Sequence, residues 1–161
     1  MAQSPQQALS PKEQLAGFLA KYSPEIARFA NAVLKKMRQR LPGALELVYD
    51  NYNALAIGFS PTERTSDGIF SIAVFPRWVS LFFLQAAGLP DPDKLLQGKG
   101  NVARHVVIKD LATLDEPGVQ KLMAVALKRA KVPLDASARG GIVIKCISAK
   151  QRPRRPKTEA S

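Results

Sequence analysis

The chain has 161 residues, 46% of them hydrophobic, with 24 Lys and Arg against 13 Asp and Glu and a formal net charge of +11. That length fits one domain with tails, and the apolar share is enough to bury a core. The longest apolar stretch, residues 69 to 84, is interrupted by Pro76 and Arg77, so no transmembrane helix is expected, and the polar N-terminus does not read as a signal peptide. One cysteine, Cys146, excludes an internal disulfide framework and suits a reducing cytoplasm.

Residues 1–9 read as disordered. Ser10, Pro11 and Glu13 form a helix start with a capping box, and Leu15, Phe18, Leu19 and Tyr22 follow at helical spacing. Ser23 and Pro24 repeat the device. Ile26, Phe29, Ala30, Val33, Met37 and Leu41 then make one apolar face, with Arg28, Lys35, Lys36 and Arg38 opposite. That basic side reads as a solvated face, with a polyanion-binding face as the alternative. "LPG" at 41–43 ends this second helix.

"ALELVYDNYNALAIGFS" reads as two strands joined by a turn near residues 50–53, and "GIFSIAVFPRWVSLFFL" as a second pair turning at Pro76 and Arg77. Few polar residues alternate in these strands, so they are expected to be covered on both faces. Residues 85–101 are punctuated by Gly and Pro and read as irregular, and Val102 to Lys109 as a strand. Alternation sets Arg104 and His105 on opposite sides of it. A third helix follows, with Asp115 as its expected N-cap, and "GGIVIKCI" is a final strand at an edge. The fold class is therefore α+β: a mainly antiparallel sheet of five to six strands, two N-terminal helices and one C-terminal helix, over residues 10–148. Residues 149–161 carry Lys150, Arg152, Arg154, Arg155 and Lys157 against Glu159 and read as a disordered basic tail.

One His and one Cys, far apart in sequence, do not make a Cys/His zinc site, and the carboxylates are scattered rather than clustered. No Gly-x-Ser-x-Gly turn is present, and "GKG" at 98–100 lacks the spacing of a phosphate-binding P-loop. The basic balance instead points to anionic partners. Lys99 and Arg104 are candidates to supply positive charge, and His105 a titratable donor or acceptor. Trp78 and Tyr49 are candidate pocket walls, and Asn51 part of a polar rim. In the tail, Arg152, Arg154, Arg155 and Lys157 can bind nucleic-acid phosphates without sequence specificity.

"LPG" with a following Glu, a Tyr beside a polar turn, "WVSLFF", "LLQGKG" and "ARHV" together resemble the YdhG-like family, small bacterial domains of unknown function. The resemblance covers about residues 10–132 and implies a compact α+β fold. Part of that family carries the label of a frataxin-like intracellular iron chaperone. The basic excess and the lack of an acidic ridge on the first helices depart from what iron binding would want. The leading expectation is a cytoplasmic, non-enzymatic binding module for a small anionic ligand or an acidic protein surface, with no cofactor, no metal and no membrane role. An iron chaperone and nucleic-acid association through the tail are the alternatives.

Overall fold

A computed structural model describes residues 8–156. Residues 1–7 of the expected disordered N-terminus and Lys157 of the tail lie outside the described residues. The α+β expectation holds. Helix α1 spans Pro11–Ala20 and α2 spans Pro24–Arg40. Strands β1 (Leu45–Asp50), β2 (Leu55–Ser60), β3 (Phe70–Val74), β4 (Val79–Phe83) and β5 (Arg104–Ile108) follow, then α3 (Pro117–Arg129) and β6 (Gly141–Ile147).

Local chemistry sets the boundaries. The α1 capping box forms as expected: Glu13 N–H donates to Ser10 Oγ at 3.1 Å, and Ser10 N–H to Glu13 Oε1 at 3.1 Å. Ser23 caps α2 through Ile26 N–H. Gly43 closes the turn after α2 at φ +84, where a Cβ would lie 2.0 Å from the Asp135 carbonyl oxygen. Asp115 does not cap α3. The helix begins at Pro117 after Glu116, and Asp115 ends a 3-10 turn, Leu111–Asp115, that Asp110 caps. Its carboxylate instead faces Lys36 and Arg40 of α2.

The six strands form one sheet in the order β5-β4-β3-β2-β1-β6. β1 to β5 run as an antiparallel meander, each strand paired with the next in sequence, whereas β6 returns to pair parallel with β1. The helix stripes (Leu15 and Phe18; Ala30, Val33 and Met37; Val119 and Leu122) share one core cluster with Val48, Ile57, Ile72, Leu81 and Val106. The helices therefore cover one face of the sheet, which corrects the expectation of cover on both. Small side chains occupy the centre of the second face: Gly58, Ser71, Ala73 and Ser80 are buried although their residues lie outside the helix-side cluster. Such residues are shaded by the strands and by larger neighbours, so the apolar run of the sequence does not require a second helical layer. Among the described residues no helix is long and apolar enough to cross a membrane.

Candidate functional site

The inward alternation of β1 places Glu46, Val48 and Asp50 on the helix side. Two carboxylates facing a core need cations. Arg38 of α2 meets Glu46 with both guanidinium arms, Nε to Oε2 and Nη2 to Oε1, each at 2.8 Å. Asp50, fully buried, receives Lys21 Nζ at 2.7 Å on Oδ2 and Arg154 Nη2 at 2.9 Å on Oδ1. Burial pushes the Asp50 carboxyl up, but the donors Lys21, Gln151 and Arg154 outweigh it and hold the group below its ordinary carboxylate value.

Arg154 comes from the segment expected to be a disordered tail, and that expectation fails for residues 149–156. The segment folds back along the turn between β1 and β2. Ser148 N–H donates to the Asp50 carbonyl at 2.9 Å and Arg152 N–H to the Tyr52 carbonyl at 2.8 Å. Gln151 Nε2 donates to the Asp50 carbonyl at 3.1 Å, and Lys21 Nζ donates to Gln151 Oε1 at 3.0 Å. Arg154, only 6% exposed, also donates to the Asn51 and Tyr52 carbonyls and lies 5.8 Å from the Tyr22 ring centroid. Arg155 donates to the Lys21 and Ala20 carbonyls, closing the C-terminal end of α1, where a cation is favoured. Composition marked this stretch as unable to build a core, which it does not do. It docks through backbone hydrogen bonds and one buried ion pair instead.

The docked segment forms one wall of a groove of about 630 Å³. Arg152 and Arg155 line that wall, and the β3–β4 turn supplies Phe75, Arg77 and Trp78 opposite. The turn is tight, with Phe75 N–H bonded to the Trp78 carbonyl at 2.9 Å around Pro76 and Arg77. The Phe75 ring stacks on Trp78, centroids 4.7 Å apart and planes 18° apart, which fixes the indole while leaving Trp78 44% exposed. Among the described residues no carboxylate lines the groove. Among the described residues the Arg77 and Arg152 guanidinium groups have no protein partner. The arrangement offers forked donors and an aromatic surface to an anion.

The candidates named from the sequence are thereby divided. Trp78 lines the groove, and so do Arg152 and Arg155, which the sequence assigned to a separate nucleic-acid role. Arg154 is buried in the Asp50 pair rather than available to phosphate. Asn51 lies on the turn that the segment grips, where its carbonyl accepts from Arg154. Tyr49 faces the other side of the sheet and shares a 2.6 Å hydrogen bond with Thr65. His105 lies on β5 with its ring 4.9 Å from Phe82, and its backbone pairs with Gln97. Arg104 Nε donates to the Gly100 carbonyl at 3.0 Å, and Lys99 is exposed on the same loop. None of these four lines the groove that Trp78 lines. "GKG" is therefore a turn in this fold: Gly98 sits at φ +107, and a Cβ at Gly100 would lie 2.7 Å from the Ala103 carbonyl oxygen. The functional residues missed from sequence are Arg77, which lines the groove and was read only as a turn residue, and Asp50, which lies outside the groove and anchors its wall. The inward alternation of "LELVYD" was the available signal for Asp50, because a carboxylate on a core face calls for a cation.

The single His and single Cys do not meet. His105 is on β5 and Cys146 on β6, the two opposite edges of the sheet. At about 4.8 Å per strand step that is a separation on the order of 24 Å. Among the described residues no three His, Cys, Asp or Glu side chains are grouped to hold a metal ion. No protein-family model matches the chain, and neither does any curated protein or solved structure.

Proposed function

We propose that this protein is a YdhG-like binding module for a small anionic ligand, held in the groove between the Phe75–Trp78 turn and the docked segment of residues 148–156. One observation carries the reading: Arg77, Arg152 and Arg155 line one groove with an exposed, buttressed Trp78, and among the described residues no carboxylate lines it with them. Three cations on one concavity raise the local concentration of anions, and forked guanidinium groups suit carboxylate and phosphate oxygens. The leading expectation from sequence is kept and its address moves. The anion site leaves the Lys99–Arg104 loop for the Trp78 groove.

Inorganic phosphate and citrate, followed by thermal shift and by fluorescence of Trp78, the only tryptophan of the chain, test the reading. At least one is expected to raise the melting temperature and perturb the emission, and Arg77→Ala with Arg152→Ala is expected to weaken binding at least tenfold, about 1.4 kcal/mol. Binding that survives the double variant while Lys99→Ala with Arg104→Ala abolishes it would return the site to the Gly-Lys-Gly loop.

A further inference from the structure

A second concavity, of about 580 Å³, adjoins the first, and the two share Arg77 and Trp78 in their linings. Its character is different. Ile26 and Phe29 of α2 and Val107 of β5 give it apolar walls, and Glu25, Lys109 and Asp110 give it charges of both signs. Among the described residues, Trp78 is thus shared between a cationic end without carboxylates and an apolar end with two. Asp110 accepts from Thr113 N–H on Oδ1, which leaves its second oxygen open to a further donor among the described contacts.

We infer that the two concavities form one bipartite site for a nucleoside monophosphate whose base carries an amino group. The inference rests on the anion-binding reading of the first groove and adds the second half of the ligand. The phosphate meets the unpartnered guanidinium groups of Arg77 and Arg152, whose bidentate donors match its oxygens, while Arg155, which donates to the Lys21 and Ala20 carbonyls, adds positive charge beside them. The base lies against the exposed indole of Trp78, which Phe75 holds from behind, and enters the apolar walls of the second concavity. An exocyclic amine donates to the carboxylates of Glu25 and Asp110. A base has the three properties that end of the site asks for: a flat π surface, no net charge, and hydrogen-bond donors. An acidic peptide running across Trp78 would bring its next carboxylates against Glu25 and Asp110. A nucleic-acid strand taking the same path would bring its next phosphate there. In the second concavity Arg77 and Lys109 are offset by those acids, so a polyanion gains little from extending into it.

Trp78, the only tryptophan, makes the test direct. AMP, UMP, adenosine, ribose 5-phosphate, inorganic phosphate, a ten-residue oligoadenylate and oligoglutamate are each titrated into the full chain while its emission is followed. AMP is expected to quench Trp78 and to bind at least tenfold tighter than ribose 5-phosphate or adenosine, and several-fold tighter than UMP, whose base has no exocyclic amine. Glu25→Ala is expected to weaken AMP several-fold with ribose 5-phosphate unchanged, whereas Arg152→Ala weakens both. Equal affinity for AMP, ribose 5-phosphate and phosphate would overturn the bipartite site and leave the anion groove standing. No binding by any anion would overturn both. An oligoadenylate more than tenfold tighter than AMP would replace the mononucleotide with a nucleic-acid strand, and oligoglutamate tighter than AMP would replace it with an acidic protein segment.

Discussion

Helix α2 and the segment of residues 148–156 are both rich in cations, and they use them in opposite ways. On α2, Arg38 is matched by Glu46, and Lys36 and Arg40 by Asp115. Burial of one partner differs between these pairs: Glu46 is 6% exposed, while the Asp115 side chain is 49% exposed. Three of the five α2 cations thus meet the protein's own acids, whereas Arg28 and Lys35 have no acidic partner among the described residues. In the C-terminal segment, among the described residues, only Arg154 meets a carboxylate, that of Asp50. Its neighbours Arg152 and Arg155 line a groove that no described carboxylate lines. Positive charge in the sequence is thus a poor guide to anion binding until its partners are known. The decisive feature is where the acids are.

The sharpest way to break this contrast is to remove the anchor. Asp50→Ala leaves Arg154 charged and buried without its partner, which typically costs about 3–5 kcal/mol. Urea denaturation should register that loss, and limited trypsin proteolysis should show cleavage after Lys150 or Arg154 that the parent protein resists, the bonds after Arg152 and Arg155 being blocked by the prolines that follow them. Anion binding at Trp78 should fall with it, because one wall of the groove goes. If Asp50→Ala leaves both proteolysis and binding unchanged, the segment does not depend on the ion pair.

The second prediction separates charge from architecture. Arg152→Ala should weaken phosphate binding about tenfold, roughly 1.4 kcal/mol, with the denaturation midpoint unchanged, since the guanidinium makes no contact that holds the fold together. Arg154→Ala should lower both stability and binding. Equal stability losses for the two variants would erase the distinction between an anchoring and a presenting arginine.

Acid supplies a third test. The Asp50 value is depressed in the folded protein, so its contribution is fully present above the unfolded carboxylate value, about 3.9, and is lost as pH falls through the lower folded value. Segment docking, followed by protease resistance, should hold at pH 6 and weaken below about pH 4. In Asp50→Asn that acid-dependent step should shrink. A step of unchanged size would assign it to other carboxylates.

The smallest effect belongs to α2. Asp115→Ala removes the shared partner of Lys36 and Arg40, but that carboxylate is exposed and its pairs are solvated. The denaturation midpoint should stay within error of the parent value. Freeing Lys36 and Arg40 in this way should not create a Trp78-linked anion response, because neither cation lines the groove.

Much of the fold was legible because its signals are local. Ser10 with Glu13 and Ser23 with Pro24 fix helix starts within a single turn, and the strand pairs around residues 50–54 and 75–78 are hairpins whose partners are adjacent in sequence. The parallel partnership of β6 with β1 was not legible, because nothing in "GGIVIKCI" names a strand on the far side of the chain. The site was legible only in fragments. Trp78 and the arginines at 152 and 155 were each singled out, but under different hypotheses. Their convergence depends on Arg154 turning inward to Asp50, a contact between residues 104 positions apart. Low apolar content correctly indicated that the segment builds no core, yet a segment without a core can still be held by a neighbour's unmet carboxylate.

The sheet order also carries a kinetic consequence. The meander from β1 to β5 pairs strands that are neighbours in sequence, whereas β6 must find β1 across the whole domain, with Gly141 opposite Leu45. The segment that walls the groove follows β6 directly. The groove is thus completed by the slowest-closing contacts of the fold, and interactions that form after the rate-limiting barrier govern the unfolding rate rather than the refolding rate. Breaking the Asp50–Arg154 pair should accordingly speed unfolding and leave refolding nearly untouched. The lifetime of the groove, more than the speed of its formation, is what that buried pair is expected to control.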